Sequence, residues 1–148
     1  MSEYAERIAG IKATYDRCFG CGAGNPIGLQ LDGFVADGED GISTTFTPRP
    51  EYGGFDGVIH GGVVATALDE TLAWTAMLVA RVLVVTAKLD LKYRNPAAPH
   101  ERLRVAGRLV DRRGSRLLME GRITAQERVI AEASGLFLVS APLPVGVP

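Results

Sequence analysis

The sequence predicts an α+β fold in which an antiparallel sheet of about six strands wraps one long buried helix. Two observations predict it. Residues 61–80 are apolar around nearly the whole circumference of a helix, which is typical of a helix that is buried on most sides. After Arg81 apolar residues recur at every second position, as they do in strands that cover a core with one face.

The segment before the long helix is punctuated by glycine and proline. Its pattern predicts a short helix with Ile8 and Ile11 on one side, then a glycine-rich loop, two strands joined by the turn DGEDG, and a second loop. The predicted ranges are 4–13 for the helix, 18–28 for the first loop, 29–36 and 42–47 for the strands, and 48–59 for the second loop.

After the long helix the alternation predicts four strands with tight connections at 111–114 and 126–127. In the first of them the alternation places Val85 and Ala87 on the core face and Thr86 on the opposite face. The last strand is predicted over 129–139. Residues 1–148 are interpreted as a single domain, with an N-terminal helix and loop (1–28), a core (29–139) and a frayed tail (140–148).

Composition excludes several functional classes. The formal net charge of -1 argues against a general affinity for nucleic acid or for anionic membranes. Nine of the thirteen arginines fall between Arg94 and Arg128. Solvated strand faces account for most of them, although this half of the chain also suits an anionic ligand.

We expect neither a signal peptide nor a membrane span. The first residues lack an apolar segment, and the longest apolar stretch, 62–80, is interrupted by Asp69, Glu70 and several threonines. Cys18 and Cys21 do not form a secreted disulfide scaffold, so a cytoplasmic location is predicted. A zinc site is not expected at Cys18-x-x-Cys21, because tetrahedral zinc needs about four ligands and there is no second cysteine pair.

The tripeptide His60-Gly61-Gly62 lies just before the long helix. Free backbone N–H groups and the positive end of the helix dipole meet at such a point, and glycine lets a ligand approach the backbone closely. The Gly62 amide is therefore a candidate for stabilising an oxyanion. Asp69 follows seven residues later on the same face, with Thr66 between them.

Asp69 stands among apolar neighbours, where a carboxylate is costly unless it is paired, solvated in a cleft or used in catalysis. This favours Asp69 as a general base. Glu70, one position further round the helix, is more readily interpreted as part of a solvated stripe. No serine or cysteine nucleophile elbow is present, and Trp74 is expected to be a core residue.

The motif HGGVVATALDE, residues 60–70, resembles the PaaI-like branch of the hotdog-fold thioesterases. The order of elements over 29–139 is similar to the hotdog fold. CFGCGAGNPIGLQL, residues 18–31, resembles the N-terminal segment of a subgroup related to the THEM-type acyl-CoA thioesterases. The stretch from Val85-Thr86 to Pro96 resembles the strand that follows the helix in this family.

The resemblance implies hydrolysis of an acyl-CoA or acyl-carrier thioester without a metal or cofactor. Asp69 would be the base or nucleophile and Gly62 the oxyanion donor, with His60 near the substrate carbonyl and Thr86 near the catalytic water. We expect a homodimer or homotetramer with the active site at the subunit interface. The residues predicted to contact substrate are Gly61, Thr66, Glu70 and Arg94, and CoA phosphates suit Arg102, Arg104 or other basic residues near a subunit junction.

Alternatives remain open at this point. A second hotdog branch uses glutamate, so spacing alone leaves Glu70 open as the working acid. Some relatives have a side-chain amide six residues before the motif histidine, where this chain has Gly54. A non-catalytic acyl-CoA-binding subunit is the alternative function. A hotdog hydratase fits less well, because its Asp and His lie a few residues apart after the loop, whereas here His60 precedes Asp69 by nine.

Overall fold

The structure, a computed structural model, describes residues 3–143; residues 1–2 and 144–148 lie outside it, and with them most of the tail predicted to be frayed. Two helices and six strands are described, together with a short 3-10 turn at Pro50–Tyr52 and a π-helical turn at Ala76–Ala80. In chain order these are α1 (Glu3–Thr14), β1 (Val35–Ala36), β2 (Gly41–Phe46), α2 (Gly61–Thr75), β3 (Val82–Tyr93), β4 (Leu103–Arg113), β5 (Arg116–Ala125) and β6 (Arg128–Pro142).

The six strands form one antiparallel sheet in the order β1-β2-β4-β5-β6-β3. Helix α2 packs against the sheet and contacts β2, β3, β4, β5 and β6. The predicted α+β fold with one central helix is thereby confirmed. Strand β3 pairs with β6 only, so one of its edges has no strand partner within residues 3–143.

The core lies between α2 and the sheet, and Leu68, Leu72 and Trp74 on the helix are fully buried in it. Trp74 stacks on Phe34 with ring centroids 4.5 Å apart, which confirms it as a core residue. This packing also explains why the apolar stretch 61–80, which meets the length and hydropathy of a membrane span, is 56% buried within the fold.

Two glycines bring α2 close to the sheet. Gly107 in β4 and Gly121 in β5 are directly opposite each other in the register. A Cβ at Gly107 would lie 2.6 Å from Thr75 Oγ1, and one at Gly121 would lie 3.1 Å from Leu68 Cδ2. Because real Cβ atoms do not tolerate such approaches, any larger residue at these positions would push the helix away from the sheet.

The prediction of a strand over 29–36 is wrong except for Val35–Ala36. Leu29 and Leu31 are buried, as their apolar character suggests, but their amides donate to carbonyls of the glycine-rich loop instead of a strand. Gln30 and Gly33 have positive φ angles of 53° and 68°, which interrupt an extended backbone. The apolar residues of this segment thus pack against a loop, so the two-residue period of a strand does not apply to them.

The predicted alternation along β3 is also wrong over its first half. The register with β6 shifts between Thr86 and Lys88, which leaves Ala87 as an extra residue in a β-bulge. One inserted residue moves the side chains that precede it to the other face. Val85 is therefore 55% exposed, while Thr86 faces α2.

Candidate active site

The start of α2 is capped by a histidine side chain. His60 is the N-cap residue, and its Nδ1 accepts a hydrogen bond of 2.8 Å from the Gly62 amide. A Cβ at Gly62 would lie 3.0 Å from that same nitrogen, so the cap requires glycine there. The proposed oxyanion donor is thus engaged by His60 in this state, and a substrate carbonyl would have to displace the ring.

Asp69 is held by a residue of the neighbouring strand. Thr86 Oγ1 donates a hydrogen bond of 2.6 Å to Asp69 Oδ1, which joins α2 to β3 across 17 residues of sequence. The bond occupies one carboxylate oxygen and fixes the orientation of the group. No donor among residues 3–143 is bonded to the second oxygen, Oδ2, which leaves it available to accept a proton.

Asp69 is half-exposed in the single chain, not buried as its apolar sequence neighbours suggested. The reason lies in β3, where residues 85–88 are all exposed at the free edge of the sheet. Within the part of the chain that is described, nothing covers that side of the carboxylate. A water molecule or a thioester therefore has access to it from this edge.

Two further hydrogen bonds order the first turn of α2. Tyr93 Oη donates to the Gly61 carbonyl at 2.8 Å, and Thr66 Oγ1 donates to the Gly62 carbonyl at 2.8 Å. The sequence pattern did not predict this role of Tyr93. Its ring lies 3.6 Å from the place that a Cβ at Gly61 would take.

Gly54 lies directly beside the cap. A Cβ there would lie 3.2 Å from His60 Cα, so the side chain that some relatives carry at this position would begin next to His60. The segment is held by two backbone bonds, from Gly54 N to the Val58 carbonyl and from Ile59 N to the Ala97 carbonyl, each 2.8 Å long. Glycine at this position therefore lets the loop pack closely against the His60 backbone.

Glu70 does not belong to a solvated stripe; it reaches the glycine-rich loop. Its Oε1 lies 3.4 Å from Cys18 Sγ, and a ligand atom from each of Cys18, Cys21 and Glu70 lies within 4.8 Å of the others. Burial raises the pKa of Glu70 to about 7. The sequence did not reveal this cluster, because 49 residues separate Cys21 from Glu70.

The two cysteines of the cluster have unlike acidities. A hydrogen bond from Cys21, together with the backbone amides of Gly20 and Cys21, lowers the pKa of Cys18 to about 5. The same contact with Cys18, followed by burial, raises the pKa of Cys21. Cys18 is therefore the thiolate of the pair near neutral pH.

Most arginines of the C-terminal half are engaged on the outer face of the sheet. Arg108 pairs with Glu120 at 2.7 Å, and both Arg94 and Arg122 pair with Glu132, at 3.2 Å and 2.8 Å. These pairs border a depression of about 610 Å³. Arg94 thus lies in an ion pair at the far end of β3 from Thr86, and its contact with substrate stays a prediction.

Comparison with known proteins identifies the family. Residues 56–132, just over half of the chain, match the thioesterase superfamily. The chain belongs to the thioesterase superfamily. Membership confirms the predicted family and the predicted class of enzyme, a thioester hydrolase. The matched region begins just before the His60 cap and extends through α2 to β6, so it contains both Asp69 and Thr86.

Solved structures agree with this thioesterase fold. A crystal structure described as a thioesterase superfamily protein is 25% identical with a TM-score of 0.76, and the match covers 83% of this chain and 60% of that one. This chain therefore spans about three fifths of the length of that relative.

Two further structures share the fold at lower identity. A hypothetical thioesterase from Streptococcus pneumoniae, solved with coenzyme A, is 18% identical with a TM-score of 0.70, covering 76% of this chain and 88% of that one. The E. coli PaaI protein, from the phenylacetic acid degradation operon, is 14% identical with a TM-score of 0.77, covering 97% and 100%. The predicted hotdog fold is confirmed.

Proposed function

We propose that this thioesterase hydrolyses acyl-CoA or acyl-carrier thioesters, with Asp69 as the acting carboxylate. The hydrogen bond between Thr86 Oγ1 and Asp69 Oδ1 carries the proposal. It fixes the carboxylate in one orientation at an open edge of the sheet, two helical turns from the start of α2. A general base works only when it is held within hydrogen-bond reach of the proton that it takes.

In the reaction, Asp69 Oδ2 takes a proton from water, and the water oxygen attacks the acyl carbon. The carbonyl oxygen gains negative charge, the carbon–sulfur bond breaks, and the proton passes to the departing thiolate. The products are a free acid and a thiol. Direct attack by Asp69 on the acyl carbon, followed by hydrolysis of the resulting anhydride, uses the same geometry.

The positive end of α2 is the proposed oxyanion site. The Gly62 amide donates to His60 Nδ1 in the free protein, and a developing oxyanion is a stronger acceptor than a neutral imidazole. On this proposal the His60 ring leaves the amide when substrate binds.

For the CoA phosphates we propose Arg102, one of the two arginines that the sequence favoured. Arg104, the other, is paired with Asp37 in the structure. Arg102 is exposed just before β4, and none of the ion pairs found within residues 3–143 includes it. A free guanidinium can bind a phosphate without first breaking an existing pair.

We further propose that a second copy of the chain completes the site, as a homodimer or within a homotetramer. The free edge of β3 presents unpaired backbone groups, and the exposed Val85 lies next to the Asp69–Thr86 pair. Pairing of this edge with its copy would cover the carboxylate on its open side. Coverage would exclude bulk water from the reacting groups and strengthen their electrostatic interactions.

The test is a thiol-release assay over a panel of short-chain, medium-chain and aromatic acyl-CoAs. The two adjacent acids provide a matched pair of variants, Asp69→Asn and Glu70→Gln. We expect Asp69→Asn to lower kcat by about 100-fold or more, the usual share of a general base, and Glu70→Gln to retain most of the activity.

Two outcomes would contradict the proposal. Loss of activity in Glu70→Gln alone would move the acting carboxylate by one residue. Tight CoA binding without thiol release from any substrate would instead favour the non-catalytic acyl-CoA-binding subunit.

A further inference from the structure

The cluster of Cys18, Cys21 and Glu70 is separate from the Asp69–Thr86 pair, and the proposed hydrolysis does not use it. The geometry points to a metal site: we infer that Cys18, Cys21 and Glu70 together bind one thiophilic divalent cation, of which zinc is the archetype.

The distances fit tetrahedral coordination. Zinc binds thiolate sulfur at about 2.3 Å and carboxylate oxygen at about 2.0–2.2 Å, which at a tetrahedral angle separates the two ligand atoms by about 3.5 Å. Cys18 Sγ and Glu70 Oε1 are 3.4 Å apart, and the three ligand atoms lie within 4.8 Å of one another. The Cys18–Glu70 separation therefore already matches one edge of such a tetrahedron, and the Cys21 sulfur lies within 4.8 Å of both atoms.

The loop folds tightly around Cys18. The Gly22 amide donates to the Cys18 carbonyl at 2.8 Å, and the Cys18 amide donates to the Tyr15 carbonyl at 3.1 Å. These two backbone hydrogen bonds hold in place the residue that carries the sulfur. Cys21, three residues on, is 2% exposed and faces the same point.

The carboxylate is pressed against this loop. A Cβ at Gly20 would lie 2.5 Å from the Glu70 carboxyl group, so glycine is what lets the loop and the side chain meet. No arginine, lysine or histidine among residues 3–143 forms an ion pair with Glu70. A buried carboxylate beside two thiols has no countercharge there, and a divalent cation would supply one.

Three protein ligands leave one coordination position for a small molecule. A cleft of about 250 Å³ borders the cluster, with both Cys21 and Glu70 in its wall and Tyr15 and Ser140 nearby. Water entering from this cleft would complete a tetrahedron. The cation would tie the glycine-rich loop to α2, one residue from Asp69, and would remove Glu70 from acid–base chemistry.

The test is metal binding by the full chain, reduced with a phosphine, stripped with chelator and titrated with zinc or cobalt(II). We expect one equivalent of zinc per chain and, with cobalt, the thiolate-to-metal charge-transfer absorption of a tetrahedral sulfur-ligated ion. Cys18→Ser and Cys21→Ser should weaken zinc binding by at least about 100-fold, and Glu70→Gln by about 10-fold. Asp69→Asn is the matched control and should bind like the unaltered chain.

Two results would overturn the inference. One is the absence of the charge-transfer band from the unaltered protein, a measurement that does not depend on the folding of any variant. The other is zinc affinity in Glu70→Gln equal to that of the unaltered chain. None of these readouts requires the protein to hydrolyse a thioester, so failure here leaves the proposed hydrolysis untouched.

Discussion

Thr86 Oγ1 and Asp69 Oδ1 are 2.6 Å apart, and this contact exists because of the bulge at Ala87. Without the extra residue, β3 would carry one uninterrupted alternation, and Thr86 could not face α2 while Leu89 and Leu91 pack on the core. The bulge thus changes which face of the strand the alternating side chains occupy. It lets Thr86 reach Asp69 while Leu89 and Leu91 pack against the core.

Removing the hydroxyl of Thr86 should impair turnover more than binding. In Thr86→Val, Asp69 loses the donor that orients it, and we expect kcat to fall by about 10- to 100-fold, part of the contribution of a well-placed base, with little change in KM. Steady-state thiol release measures both constants. Thr86→Ser keeps the donor and should stay within a few-fold of the unaltered enzyme; equal loss in both variants would refute the orienting role.

His60 should contribute to stability through its cap. His60→Ala leaves the Gly62 amide without its side-chain acceptor, at a cost of about 1 kcal/mol, which lowers Tm by about 2–4 °C for a chain of this size. Thermal unfolding followed by circular dichroism provides the measurement. His60→Asp restores an N-cap acceptor and should melt close to the unaltered protein. Identical Tm values for the two variants would show that the cap is not what His60 contributes.

The free edge of β3 should be the subunit contact. A charge at Val85 would be buried without a partner if two such edges meet, so Val85→Glu should shift the protein toward monomers and lower its activity. Light scattering after size exclusion reports the mass. Ile27→Glu alters another exposed apolar residue, 74% exposed in the glycine-rich loop, and should leave the mass unchanged. A monomeric unaltered protein would remove the basis for this proposal.

Glu101 should stabilise the loop before β4 in a pH-dependent way. The Ala98 amide, and after it Arg128, hold the pKa of Glu101 below its usual value. A lowered pKa contributes stability above the unfolded-state value of about 4.5 and loses it as pH falls through the folded-state value. Glu101→Gln should therefore be destabilising at pH 7 and nearly neutral near pH 3, by less than about 1 kcal/mol because the pair is solvent-accessible.

Urea unfolding of both proteins at the two pH values measures this difference. The same loop supplies the Ala97 carbonyl that holds Ile59 just before the His60 cap. A loss of stability in Glu101→Gln that is equal at both pH values would show that the carboxylate charge is not the cause.

The sequence predicted the parts of the fold that rest on regular periods. The long helix was identified from its all-round apolar surface, and α2 with its π-helical extension covers the expected 61–80. The last three strands were identified from their alternation, although β6 reaches Pro142 instead of ending at Val139. Periodicity works there because each strand meets the core with one face over most of its length, although bulges at Val110 in β4 and Ile130 in β6 interrupt the alternation.

The remaining features depend on contacts that no local pattern encodes. The bulge in β3 interrupts the two-residue period of the strand, and no glycine or proline in the strand marks its position. The strand predicted at 29–36 is apolar because it covers a loop, not because it alternates in a sheet. For the site, the resemblance to the hotdog thioesterases implied that Thr86 lies near the catalytic water, whereas the alternation placed it on the face opposite the core. In the structure Thr86 donates to Asp69 on α2, and its place near a catalytic water stays a prediction.

Glu70 is another residue whose surroundings the local sequence pattern did not predict. Its place one position round the helix from Asp69 suggested solvent, but the cysteine loop that covers it begins about fifty residues earlier in the chain. The position of a residue along a helix predicts the direction of its side chain. It does not predict which distant segment of the chain packs against that side chain.

The paired glycines of β4 and β5, Gly107 and Gly121, limit how far the Asp69 carboxylate can move. Leu68, which rests over Gly121, immediately precedes Asp69 in the chain, so the backbone of the acid is seated on the sheet by the residue before it. Bulkier residues at Gly107 or Gly121 would tilt α2 and lengthen the hydrogen bond between Thr86 and Asp69. The absence of a side chain at these two glycines, which lie away from the Asp69–Thr86 pair, thus determines how closely Asp69 and Thr86 can approach each other.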